Sequence, residues 1–89
     1  MSQFKIFSEE EAREIGQKIG INFSVVNIEE FRKGLTVELE HGVHDPETDV
    51  TGGDVYLTGK IAWAHIKELP DYYTRLLKME KEAEEELKK

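Results

Sequence analysis

The 89-residue chain contains no cysteine. That excludes a disulfide framework, a thiolate metal site and a cysteine nucleophile. It holds only two prolines, Pro46 and Pro70, so long stretches are free to be helical. No apolar run approaches the roughly 20 residues that span a bilayer. The first residues, MSQFKIFSEEE, lack the apolar centre of a signal peptide. The chain is therefore expected to be soluble and cytoplasmic, in the host cytoplasm if phage-encoded, with no membrane contact. Bases are also scarce, 12 Lys and Arg against 19 Asp and Glu. The deficit is local: residues 27–55 carry two bases and eight acids. Phosphate contact wants clustered Lys and Arg, so nucleic-acid binding is not expected. A cation, a basic protein partner or self-association suits the charge better.

What the sequence does have is helical punctuation. Ser8 and Glu11 form a capping box, with Phe7 placed to staple onto Ala12 and Gly20 placed to end the helix. The first helix is expected at 9–19. Asn27 and Glu30 form a second box, with Val26 stapling onto Phe31. Ile28, Phe31, Leu35 and Leu39 then mark one helical face, and Gly42 is the expected stop. Gly34, inside that helix, suits close approach of another backbone. Residues 43–53 are rich in turn formers. Asp54 is a candidate N-cap for a third helix that ends before or at Pro70. Pro70 suits the first turn of a fourth, in which Tyr72, Leu76, Met79 and Ala83 share a face. Its charged end, residues 80–89, is expected to project or fray. QFKIF at the start reads as a short extended arm. The expected fold is all-α, a small single-domain bundle of three to four short helices over 1–89.

Two motif readings fail on spacing. DPETDVTGGD offers Asp45, Glu47 and Asp49 at the first, third and fifth positions of a calcium loop. The glycine and final glutamate of that loop are replaced by Val50 and Tyr56. GGDVYLTGKI has one residue too many for a phosphate loop, and Ile61 stands where Ser or Thr is required. The serines sit at the terminus, at a cap and in a linker, which makes a poor case for a nucleophile.

The Glu and His residues carry more. At 100° per residue, Glu38 falls on the flank of the apolar face of the second helix, with His41 three residues on. On the third helix Ile61, Ala62, His65 and Leu69 mark an apolar face, and Glu68 follows His65 at i+3. If the two helices pack antiparallel across a short loop, Glu38, His41, His65 and Glu68 converge. Two carboxylates and two histidines make a candidate site for zinc, manganese or iron. The competing reading is a buried polar network, in which His65 is satisfied by a carboxylate. An unpaired buried polar group costs about 1–3 kcal/mol, so such pairing is the rule. No catalytic residue and no assured cofactor follows from either reading. Trp63, Tyr72 and Tyr73 are candidate interaction residues, since aromatics are frequent in binding hot spots.

The segments GLTVELEHG and IAWAHIKELPDYYTRL, with the spacing between them, resemble a family of small uncharacterised proteins common in bacteriophages and bacteria. Its pattern is G-x-x-V-E-x-E-H followed by I-A-x-x-H-L-x-E-x-P-x-Y-Y-x-x-L. The match runs over about residues 31–80, at Gly34, Val37, Glu38, Glu40, His41, Ile61, Ala62, His65, Glu68, Pro70, Tyr72, Tyr73 and Leu76. It departs at Ile66, where the pattern has leucine. The resemblance implies a domain of unknown function. Taken together, the sequence favours a small non-catalytic interaction or accessory protein with a buried Glu/His network, and the alternative is a divalent-metal domain using Glu38, His41 and His65.

Overall fold

A computed structural model describes residues 6–88. Its order is α1 (Glu9–Ile19), α2 (Ile28–His44), α3 (Val55–Glu68) and α4 (Tyr72–Leu87), with no strand among the described residues. The fold is all-α. Of the expected N-terminal arm, all but Ile6 and Phe7 lies outside the described residues. Phe7 is buried as part of the core.

Local chemistry sets the helix ends. Ser8 Oγ accepts from the Glu11 amide and Glu11 Oε1 accepts from the Ser8 amide, both at 3.0 Å, which completes the box. At the other end the Gly20 amide donates to the Gln17 carbonyl and the Ile21 amide to the Gly16 carbonyl. Gly20 takes φ 100°, a left-handed conformation that side chains resist. Ile21 is buried beyond it. Asp54 Oδ1 accepts from the Tyr56 and Leu57 amides and starts α3 as expected.

Three expectations need correction. α2 does not stop at Gly42 but continues to His44. Gly42 is buried in the helix because the following loop folds back on it: an added Cβ would lie 3.0 Å from Asp49 Oδ1 and Thr51 Oγ1. α4 starts at Tyr72, not Pro70; Pro70 and Asp71 form a turn closed by the Tyr72 amide on the Leu69 carbonyl at 2.9 Å. The second capping box is half made. Asn27 Oδ1 accepts from the Glu30 amide, but the Glu30 side chain turns away to α4.

α2 is the central element, packed against α1, α3 and α4, and α3 also touches α1 and α4. The core is Phe7, Ala12, Ile15, Ile21, Phe31, Leu35, Ala62, Ile66 and Tyr73. The buried face of α3 is Thr58, Gly59, Ala62 and Ile66, rotated from the face the apolar residues suggest. Gly59 is turned inward because α1 comes close: a Cβ there would meet Ile15 Cγ2 at 3.1 Å and Ile19 Cδ1 at 3.2 Å. Thr58 is buried at no cost in hydrogen bonding, since its hydroxyl donates to the Asp54 carbonyl at 2.7 Å. His65 is thereby moved from the centre of that face to its edge. Trp63 packs toward the end of α1, where Gly20 lies against its ring, and Lys67 Nζ sits 4.1 Å from its ring centroid.

Candidate functional site

The polar centre is where α4 crosses α2 and α3. Gly34 on α2 leaves a hollow that the Tyr73 ring and the Ala62 methyl fill; an added Cβ would lie 2.6 Å from Tyr73 Cε2. The close approach is thus by side chains, not by another backbone. With its ring seated there, the fully buried Tyr73 carries its hydroxyl to Glu38, one turn along α2. That hydroxyl donates to Glu38 Oε2 at 2.7 Å. His65 Nδ1 lies 2.9 Å from the same hydroxyl and 3.3 Å from Glu38 Oε2. Because the tyrosine proton is directed at the carboxylate, Nδ1 is the nitrogen that carries a proton, and it donates to the two oxygens. The imidazole lies parallel to the Tyr72 ring, centroids 4.4 Å apart and planes within 4°.

Each helix of the crossing contributes one member: Glu38 from α2, His65 from α3 and the Tyr72–Tyr73 pair from α4. Burial first, and then the Glu38 carboxylate beside it, push the Tyr73 phenol well above its ordinary range. The Glu38 side chain is 12% exposed and that of His65 34%. Nε2 of His65 has no partner among the described residues, and no buried side-chain nitrogen or oxygen among them lacks one, so Nε2 reaches the surface.

A second polar fastening lies about two turns back along α2. Glu30 is 5% exposed. Its carboxylate accepts from Thr74 Oγ1 at 2.7 Å and from the Thr74 amide at 3.3 Å. Thr74 is the third residue of α4, whose own N-cap residue, Asp71, makes no side-chain cap bond. A glutamate on α2 therefore caps α4 from outside and places negative charge at its positive end. Lys33 Nζ donates to Thr74 Oγ1 at 3.1 Å and completes the cluster.

The sequence-derived set is only partly assembled. Glu38 and His65 meet. His41 and Glu68 are exposed and elsewhere. His41 is one turn past the α4 crossing and about 60° round from Glu38, on a flank of α2 that α4 no longer covers. Glu68 points away because His65 is already at the edge of its face. Among the described residues no three His, Asp or Glu side chains are grouped to hold a metal ion. Tyr73 joins Glu38 and His65 in their place. A histidine held at Nδ1 by a carboxylate, with Nε2 open, is the orienting half of an acid–base pair. Among the described residues the nucleophilic half is not beside it: Ser8 caps α1, Ser24 is in the α1–α2 loop, and Thr58 is committed to a carbonyl. What the arrangement does chemically is fasten three helices.

The calcium-like loop is fully explained by its own turns. Asp49 Oδ1 accepts from the Gly52 amide at 2.8 Å, the Thr51 amide at 3.0 Å and the Thr51 hydroxyl at 3.2 Å. These amides, Gly52 first, hold its carboxyl below the ordinary value. Gly52 and Gly53 take positive φ, which closes the turn into Asp54.

Beyond the crossing α4 is bare. Residues 77–88 are all exposed, including Met79 at 59% and Leu87 at 87%. Between this half-helix and the face of α2 opposite the core lies an open groove of about 1080 Å³. Val37, Glu40, His41 and His44 line one wall; Leu77 and Leu87 line the other. Ile6 reaches its edge. No described helix is long and apolar enough to cross a membrane.

Compared with known proteins, residues 12–82 match a family model described as "Protein of unknown function (DUF5661)". No curated protein matches the chain, and no solved structure does.

Proposed function

We propose, for a chain that belongs to this family of unknown function, that residues 1–89 form one cytoplasmic, non-catalytic domain that binds protein through the α2–α4 groove. The uncovered half of α4 carries this reading. Isolated helices shorter than about 12–15 residues are marginal in water, and packing normally supplies the rest of their stability. Here the second half of a 16-residue helix presents Leu77, Met79 and Leu87 to solvent, and Leu77 and Leu87 line an open groove. The Glu38–Tyr73–His65 fastening supports the same reading, because it sets the direction in which α4 leaves the core. The acidic balance of residues 27–55 agrees with a protein ligand rather than a nucleic acid.

The test is site-specific photo-crosslinking in the cells that make the protein. A benzophenone amino acid at Leu77 is expected to give a covalent adduct with another polypeptide, and the same probe at Glu10 on α1 is expected to give none. If the Leu77 probe yields no adduct at any expression level, the reading fails.

A further inference from the structure

The lining of the α2–α4 groove is acidic once its internal pairs are set aside. Glu29 and Arg32 neutralise each other, both carboxylate oxygens lying 2.7 Å from Nη1. Lys33 donates to the Thr74 hydroxyl, which in turn donates to the Glu30 carboxylate, so its charge is offset as well. What remains is Glu40, Glu80 and Glu84 against Lys81, none of them in an ion pair or hydrogen bond among the described residues. His41 and His44, on the same lining, are counted neutral at pH 7. Glu40 is half-buried, so its carboxylate has lost part of its water without gaining a partner. The acids share the lining with apolar side chains, Val37 on α2 and Leu77, Ala83 and Leu87 on α4. On α4 they alternate on one face: Leu77, Glu80, Glu84 and Leu87 stand at i, i+3, i+7 and i+10.

This lining specifies what can fill it. Both walls are helices, whose backbone groups are paired within each helix, so the groove offers no strand edge. An extended segment would leave unpaired those of its backbone groups that faced the walls. A helix brings its own pairing and needs only side-chain contacts. Leu77 and Leu87 are about 15 Å apart along α4, which corresponds to roughly three turns of an occupant. That helix needs an apolar stripe for the leucines and valine. Beside the stripe it needs Lys or Arg, to meet three acids that nothing else neutralises. α4 of a second copy fails this requirement, since it would bring Glu80 and Glu84 to the same acids.

Resting on the interaction reading above, we infer that the α2–α4 groove takes a basic amphipathic helix of another protein, its apolar stripe on Val37, Leu77 and Leu87 and its flanking Lys or Arg on Glu40, Glu80 and Glu84.

Fluorescence anisotropy with synthetic helical peptides tests it, at about 0.15 M salt, where charges more than about 8 Å apart are largely screened. The probe is a peptide of roughly four turns with leucines at i, i+3, i+4 and i+7 spacing and lysines elsewhere. It should bind saturably. The same peptide with glutamate in place of lysine should bind at least about tenfold more weakly. Combined Glu40→Gln, Glu80→Gln and Glu84→Gln should weaken the lysine peptide about tenfold. Combined Glu82→Gln, Glu85→Gln and Glu86→Gln removes as much charge from the same helix but off the lining, and should leave binding within about twofold. Leu77→Asp should abolish it. None of the replaced side chains makes a described hydrogen bond or ion pair, so circular dichroism should report folded protein throughout. A lysine peptide that does not bind overturns the inference. So does one that binds equally well to the lining and off-lining variants, because net charge alone then holds it. The Leu77 crosslinking experiment separates the two levels. An adduct whose captured segment is basic and amphipathic supports both. An adduct with an acidic segment, or with a second copy of this chain, leaves the interaction reading standing and rejects the basic helix.

Discussion

Replacing Gly34 with alanine sets two effects of opposite sign against each other. Helix propensity favours alanine in the middle of α2 by about 1 kcal/mol. The structure opposes it. The added Cβ would lie 2.6 Å from Tyr73 Cε2, 3.0 Å from Tyr73 Cδ2 and 2.9 Å from Ala62 Cβ. Carbon atoms rest at about 3.5–4.0 Å, so roughly an ångström must be recovered. Ala62 has no rotamer with which to yield. The Tyr73 ring is fully buried, and its hydroxyl is held by Glu38 and His65. Relief therefore requires α4 to slide outward. Overpacking of this kind costs about 1–3 kcal/mol. Loss of the charge-assisted bond to Glu38 adds about 1.5–3 kcal/mol. The penalty exceeds the propensity gain, and Gly34→Ala should destabilise by roughly 1.5–5 kcal/mol net. In a domain of this size that lowers Tm by about 6–40 °C, measurable by thermal and urea unfolding followed at 222 nm. In a Tyr73→Ala background the cost of Gly34→Ala should fall by at least about 1 kcal/mol, the coupling expected of residues in contact. A Tm that is unchanged or raised by Gly34→Ala alone would refute the reasoning, because propensity would then outweigh the contact.

Three further outcomes follow from the polar fastenings. Glu30→Ala should cost about 1–3 kcal/mol by leaving the start of α4 without its cap, and hydrogen exchange at the Thr74 amide should accelerate with it. Tyr73 has a raised folded-state pKa, so its contribution is complete below its ordinary value of 10.0 and is lost as pH climbs above that value; alkaline unfolding should begin there, and Tyr73→Phe should flatten the pH dependence of urea midpoints above it. Asp49 has a lowered folded-state pKa, so its contribution is present above its ordinary value of 3.8 and is lost as pH falls through the lower value. An NMR titration of its carboxyl carbon should show a midpoint below 3.8, and Asp49→Asn should remove the accompanying shift of the Gly52 amide.

The starts of α1, α2 and α3 were legible because their chemistry is local. Ser8, Asn27 and Asp54 are cap residues whose partners are two or three positions away, and each bond is present. The ends were harder, since what decides them is distant. Gly42 looks like a stop, yet a loop that returns over α2 needs its missing side chain. The inward face of α3 was misjudged for the same reason: Thr58 and Gly59 have little or no apolar side chain to reveal that α1 lies against them. That rotation decided the site. With His65 at the centre of its face, Glu38, His41 and Glu68 would surround it; at the edge, His65 meets Glu38, Tyr73 and the Tyr72 ring. The signal that would have placed Tyr73 was Gly34, an unexplained glycine in a helix that leaves room for an aromatic ring.

The cost of that placement explains the composition of α4. A short helix joined to a small core needs enough contact to hold its angle. α4 concentrates this at its start: Tyr72 stacks on His65, Tyr73 fills the Gly34 hollow and ties Glu38, and Thr74 receives Glu30. Polar bonds made in a partly buried place are stronger than the same bonds in water. Three such fastenings in consecutive residues stand in for the apolar stripe that a bundle helix usually runs along its whole length. Only Leu76 extends the packing beyond them. The second half of α4 is thereby released from any duty to the core. Its Lys, Glu and Leu residues are free to be arranged by a requirement other than core packing.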